Sequence, residues 1–170
     1  MCGIFGYIGY RKNSAELVLR GLKSLEYRGY DSWGVAVVSN QLSGISSQLS
    51  DKGQSATGLS ETEIQKTVKL GSENRQQKTE NRIFVKKKAG KIGDNNVHDL
   101  PKSTLSFGHT RWATHGGVTD INSHPHLDCS STIAIIHNGI FENYEEIKQN
   151  LIKDGHKFVS ETDTEVIAHM

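Results

Sequence analysis

The sequence has 170 residues, a formal net charge of +1 and 23% charged residues, which is enough chain for one domain with a buried core. So balanced a charge gives no electrostatic reason for a nucleic-acid or membrane-surface partner, and no apolar run approaches the ~20 residues of a membrane-spanning helix. Two cysteines, Cys2 and Cys129, make no disulfide framework, and no secretory signal is visible, so the expected compartment is the cytosol, where thiols stay reduced.

Cys2 follows the initiator Met. Removal of Met1 would leave one residue carrying both a thiol and a free α-amine. That amine titrates near neutrality, and a nucleophile with its own base attached is one route to covalent catalysis. Residues 3 to 8 mix Ile, Phe and Tyr with Gly and read as a buried strand. Asn13 or Ser14 caps a helix with Glu16 in its first turn. Ala15, Val18, Leu22 and Leu25 form its apolar stripe, and Gly29 ends it. Val35-Ala36-Val37-Val38 is a β-branched strand run.

Residues 39 to about 104 differ in composition, with Ser, Gln, Asn, Gly and Lys dominant. Residues 41 to 104 read as an insertion, disordered over 41 to 80, with strand structure returning over 82 to 93. Lys86-Lys87-Lys88 reads as a solvated surface. From Leu105 to Arg111 a strand leads into the turn Ala113-Thr114-His115-Gly116-Gly117. Thr132 to His137 suits a strand buried on both faces and stops at Asn138-Gly139. Asn143 to Lys153 is helical, with Tyr144, Ile147 and Leu151 on one face and Gly155 as its stop. Phe158-Val159 reads as a short strand, and Thr162 to Glu165 as a capping box opening a last helix.

Four polar islands interrupt this pattern: Tyr27 to Asp31, His109 to Gly116, His137 to Gly139, and Ser160 to Glu165. With a terminal cysteine they divide into the roles that amide hydrolysis needs. Thiolate attack on a carboxamide creates an oxyanion, for which the Asn138 amide and the Gly139 N–H are candidate donors. Arg111 can take an α-carboxylate in a bidentate fork, and Asp163 can receive an α-ammonium. Thr114 and His115 can complete the polar wall. A metal site built from His109, His115, His124, His126 and His137 is the competing reading, but their spacing is unlike that of zinc sites, and Cys129 reads as an incidental thiol.

The set CGIFGYIG, LEYRGYDS, GHTRWATHG, NSHPH, HNGI and SETDTEVIAH resembles the glutaminase domains of the glutamine–fructose-6-phosphate aminotransferases, in the N-terminal-nucleophile (class II) branch of the glutamine amidotransferases. The likeness covers residues 2 to 38 and 105 to 170. It implies an α+β fold, a four-layer αββα sandwich with mainly antiparallel sheets, left incomplete because the family domain runs on past residue 170. It also implies glutamine as substrate, hydrolysed to glutamate and ammonia through a Cys2 thioester. Cys2 would be the nucleophile, and Asn138 and Gly139 would form the oxyanion hole. Arg111, Thr114, His115, Gly139 and Asp163 would bind glutamine. Arg28 would lie in a loop supporting the nucleophile, and Trp112 would help communicate with the ammonia path.

No cofactor or metal is implied. Sugar isomerase domains are expected in the full-length protein, with homo-oligomers formed through them. Trp33 departs from the small residue usual at its position, which predicts altered packing near that loop. A second reading is a catalytically silent truncated paralogue or fragment that acts by association with a full-length enzyme.

Overall fold

The structure, a computed structural model, describes residues 2–42, 79–113 and 116–170. The expected disordered stretch over 41 to 80 falls almost wholly outside them, as do Thr114 and His115. Strands β1 (Gly3–Ile8), β2 (Ser32–Leu42), β3 (Thr79–Ala89) and β4 (Leu105–Arg111) form one sheet in the order β1-β4-β2-β3, and β5 (His126–Leu127) pairs with β6 (Ala134–Ile135) in a second. Helix α1 (Ser14–Leu25) and a 3-10 turn (Glu26–Arg28) follow β1, and α2 (Tyr144–Lys153) and α3 (Thr164–His169) come last. Among the described residues no helix is long and apolar enough to cross a membrane.

Antiparallel register gives each position of β4 partners that share its face. Gly108 lies opposite Phe5 and Val35, and His109 opposite Ile4 and Gly34. The Gly108 face meets α1, whose Leu22 and Val18 side chains lie within 3.1 Å of where a Gly108 Cβ would stand. Val18, Leu22, Trp33, Val35 and Val37 are buried together there, and each such side chain contributes about 1.5–3 kcal/mol through removal from water. Ser14 and Ser106 hydroxyls meet at 2.6 Å across the same interface, so the buried polar atoms satisfy one another. The His109 face carries the segment around His124, then β5–β6, against which α3 packs, with α2 beside α3. Helix, sheet, sheet and helices are thus layered in the αββα sense.

Several sequence expectations change in the fold. β1 is a strand but not a buried one: it lies at the edge of the sheet, and Ile4 and Ile8 are exposed on the face opposite α1. The Asn13 side chain makes no cap bond and reaches Glu16 instead. α1 gives way to the 3-10 turn at Glu26, and Gly29 ends that turn in extended conformation. Its missing Cβ matters, since one would stand 2.9 Å from the Arg111 carbonyl carbon. β3 ends at Ala89, where Gly90 at φ 86° turns the chain, short of the expected 93.

The three lysines are not simply a solvated run. Lys86 pairs with Asp99 at 2.6 Å, Lys87 donates to the Ile121 carbonyl at 3.0 Å, and Lys88 reaches Asn95. Burial pushes the Lys87 pKa below the ordinary lysine value, against the opposing pull of Glu165 and Asp120. The strand expected over Thr132 to His137 shrinks to two half-buried residues, with Ile133 exposed. Phe158 and Val159 join no ladder. The Val159 N–H instead donates to Glu165, which also accepts from the Ser160 N–H. Glu165 therefore reaches back beyond a capping box, and the cap residue Asp163 makes no side-chain cap bond. Trp33 is fully buried in the α1-facing core, and its indole N–H has no partner among the described residues.

Gly34 lies directly against the His124 backbone, just ahead of β5. A Cβ there would fall on the His124 carbonyl oxygen, well inside contact distance, whereas one at Gly6 would meet Phe107 at an ordinary 3.7 Å. Gly34→Ala is expected to destabilise the domain by about 2–3 kcal/mol through overpacking, and Gly6→Ala by less than about 0.5 kcal/mol. Urea midpoints of the two variants measure this, and equal midpoints would contradict the close approach.

Candidate functional site

The loop between α1 and β2 is laid against the end of β4 by three contacts. The Asp31 N–H donates to the Arg111 carbonyl at 3.1 Å. The Asp31 carboxylate accepts the Ala113 N–H at 2.9 Å, and the Tyr30 ring meets Trp112 edge-on at 5.6 Å. These hold Arg111-Trp112-Ala113 in an extended exit from the sheet. Arg28 belongs to this loop, but its own guanidinium lies over the exposed Tyr27 ring at 6.0 Å. Cys2, just before β1, meets the same exit: its Sγ accepts the Trp112 N–H at 3.2 Å.

Asn138 comes from the turn after β6. Its Nδ2 donates to the Cys2 carbonyl at 3.4 Å, and its Oδ1 lies 2.8 Å from His109 Nε2. Because an amide oxygen can only accept, the network assigns the proton to Nε2 of His109. His109 Nδ1 then has no partner among the described residues. The imidazole thereby orients the amide, with the oxygen toward itself and the NH2 toward Cys2. A pocket beside Cys2 is lined by Arg111, Trp112, His137, Gly139, Thr162 and Asp163, among others.

Arg111 and Asp163 are both buried. Arg111 donates to the Gly117 carbonyl at 3.3 Å. Desolvation lowers its pKa, opposed by Cys2, Asp31 and Asp163, and a guanidinium stays charged regardless. Asp163 accepts the Phe141 N–H at 2.7 Å, which ties the Asn138–Gly139 turn to the start of α3. Its Oδ1 accepts from the Thr164 hydroxyl at 3.3 Å, and a carboxylate retains lone pairs for a further donor.

Along the pocket wall the histidines stack. His109 lies face to face with His124 at 4.3 Å, and His124 meets His126 edge-on at 4.7 Å. His126 Nε2 pairs with the Thr162 hydroxyl at 3.0 Å. The rings of His109 and His124 lie stacked at 19° to each other and do not converge on a point as metal ligands would. Burial pushes His109 down to about 4 and His126 to about 3, and pushes His124 down as well.

Of the sequence candidates, the structure gathers Cys2, Arg111, Asn138, Gly139, Trp112 and Asp163, and leaves the Arg28 side chain outside. Thr114 and His115 lie outside the described residues. Sequence reasoning missed His109 and Asp31 as positioning groups. Both stand inside the polar islands, but only their partners across the fold reveal the roles. Cys129, read as an incidental thiol, instead lies beside His156 and His169.

The family model described as glutamine amidotransferase domain matches residues 67–170. The glutamine–fructose-6-phosphate aminotransferase (isomerizing) of Pyrococcus horikoshii is 43% identical over 174 residues, covering all of this chain and 22% of that protein. That of Methanococcus maripaludis is 44% identical over the same extent. The chain thus spans about a fifth of the length of the curated relatives it matches. Among solved structures, glutamine phosphoribosylpyrophosphate amidotransferase from B. subtilis, complexed with ADP and GMP, aligns with a TM-score of 0.63 at 22% identity. That alignment covers 99% of this chain and 28% of the other, a likeness of fold.

The buried histidines give stability a defined pH dependence. Their folded pKa values lie below the unfolded value of about 6.5, so the unfolded chain binds more protons as pH falls. Stability is then fully present above about 6.5 and is lost toward 4, at up to about 1.4 kcal/mol per pH unit for each histidine. Urea midpoints should therefore fall between pH 6.5 and 5, above the range in which carboxylates titrate. A flat profile there would contradict neutral burial of the stack.

Proposed function

The chain belongs to the glutamine amidotransferase domain family, and from that premise we propose that it hydrolyses glutamine to glutamate and ammonia with Cys2 as nucleophile. The observation that carries the reading is the convergence of Cys2, buried Arg111 and buried Asp163 on one pocket, with the Asn138 amide turned toward Cys2. Removal of Met1 frees the Cys2 α-amine to act as base. Arg111 binds the α-carboxylate of glutamine as a fork, Asp163 takes the α-ammonium, and Gly139, Thr114 and His115 complete the contacts. The two buried charges of opposite sign match a zwitterion and reject a neutral amide.

The steps follow from these positions. The α-amine takes the thiol proton, and sulfur attacks the side-chain carboxamide carbon. The oxyanion so formed is met by Asn138 Nδ2 and the Gly139 N–H, donors of the kind that stabilise developing negative charge. The C–N bond breaks, ammonia leaves with the proton from the α-ammonium of Cys2, and a γ-glutamyl thioester remains. Water, deprotonated by the same amine, attacks the thioester, and the Cys2 sulfur departs to release glutamate. His109 holds the Asn138 amide in the donating orientation, and the loop carrying Arg28 and Asp31 supports the Cys2–Trp112 contact.

The relatives' names extend the proposal. We read residues 2–170 as the start of the glutaminase part of a glutamine–fructose-6-phosphate aminotransferase, with 41–104 an insertion within it. Ammonia would pass by Trp112 to a sugar isomerase domain of a longer protein, and a reducing compartment such as the cytosol would keep the Cys2 thiol competent.

Intact mass before and after an electrophilic glutamine analogue tests the reading. Loss of Met1 and one adduct per chain, blocked by excess glutamine and absent in Cys2→Ala, are the expected results. Cys2→Ala should abolish turnover while leaving the urea midpoint unchanged. Turnover in that variant, or no adduct on a folded chain, would sink the mechanism. Arg111→Lys replaces the fork with a point charge and should raise the KM for glutamine at least about tenfold, with a smaller effect on kcat. An unchanged KM would remove Arg111 from the binding role.

A further inference from the structure

At the opposite end of α3 from the Cys2 pocket, three segments bring potential metal ligands together. Cys129 stands in the loop between β5 and β6, His156 follows the Gly155 turn after α2, and His169 ends α3. Cys129 Sγ lies 3.4 Å from His169 Nδ1 and 3.9 Å from His156 Nδ1, and the two Nδ1 atoms are 3.2 Å apart. A tetrahedral zinc with Zn–N about 2.0–2.1 Å and Zn–S about 2.3 Å sets its nitrogens about 3.3 Å apart and sulfur about 3.6 Å from each nitrogen. The observed triangle has those edges to within about 0.3 Å.

The surroundings suit ligation as well. His169 is buried, and its Nε2 has no hydrogen-bond partner among the described residues but faces Glu165 Oε1 at 3.6 Å, also buried. A carboxylate behind the outer nitrogen of an imidazole is the usual support of a ligating histidine, fixing its tautomer and ring orientation. Glu165 is itself held by the Val159 and Ser160 N–H groups. The Cys129 sulfur accepts the Lys157 N–H at 3.3 Å, and such a bond suits a thiolate. The loop carrying Cys129 is shaped by Asp128, whose carboxylate accepts the N–H groups of Ser130, Thr132 and Ile133. The His156 N–H donates to the Leu151 carbonyl at 2.9 Å, which ties the third donor to the end of α2.

We propose that Cys129, His156 and His169 form a binding site for zinc or a similar borderline divalent cation, with Glu165 supporting His169. Cys129 is exposed, so a cation can reach the site from solvent on that side. Ligation releases the thiol proton and ties the β5–β6 loop and the end of α2 to α3, the helix that Asp163 precedes as its cap residue.

The test is metal uptake by the purified chain, followed with zinc and with cobalt(II) as a spectroscopic substitute. One zinc per chain is expected after gel filtration, together with a sulfur-to-cobalt charge-transfer band in the near ultraviolet. Cys129→Ser should lose that band and bind at least tenfold more weakly. His156→Gln should also bind at least tenfold more weakly, while Cys2→Ser should keep both the band and the affinity. Failure of the chain to take up zinc would overturn the proposal. So would a cobalt spectrum unchanged by Cys129→Ser or abolished by Cys2→Ser, which would move the metal to the other thiol. Because the readout is metal content and spectrum rather than glutamine turnover, the result stands apart from the hydrolytic reading.

Discussion

Strand β4 has a neighbour on each side and an occupied layer on each face, and almost everything functional in the chain is attached to it. Its even positions, Ser106, Gly108 and Thr110, turn toward α1, where Ser106 meets Ser14, Gly108 admits Leu22 and Thr110 accepts the Gly3 N–H. Its odd positions His109 and Arg111 turn toward the second sheet and the pocket. A one-residue slip would exchange the two sets and present a histidine and an arginine to an apolar helix. The site is therefore held in register by the hydrophobic core on the opposite face of the strand.

The polar side of that strand is organised by neutral imidazoles. Burial disfavours a charge on His109, His124 or His126, so each ring has one donor and one acceptor. The Cys2 carbonyl can only accept, so it takes the Asn138 NH2, and the amide oxygen left over pairs with an Nε2–H of His109. The same layer makes Gly34 a requirement, since the His124 backbone crosses directly over it.

α3 connects the pocket with the second cluster. Asp163 and Thr164 line the pocket, while Glu165 and His169 lie with Cys129 and His156. The helix has only six residues, too few to be stable on propensity alone, so its placement depends on contacts at both ends. Asp163 bound to the Phe141 N–H is one such contact, and the Cys129–His156–His169 triangle is another.

Periodicity along the chain was enough to locate β4 from Leu105 to Arg111, the α1 stripe and α2 with its Gly155 stop, because each element is long enough to repeat its side-chain pattern. The polar islands could likewise be read as a group, since Cys2, Arg111, Asn138 and Asp163 are residue types that amide chemistry uses together. Short segments were misread for the opposite reason. Ile133 to Ile136 and Phe158-Val159 are apolar, yet with two to four residues no period separates a strand from a packed loop, and Glu165 captured the backbone that a ladder would have used. Position in a sheet is also invisible locally, so β1 looked buried although it is an edge. Partnerships across long sequence separations were decided by the tertiary structure alone. His109 with Asn138, Asp31 with Ala113, and Cys129 with two histidines are each joined only when distant segments are packed, because a hydrogen bond or a ligand triangle depends on distance in space.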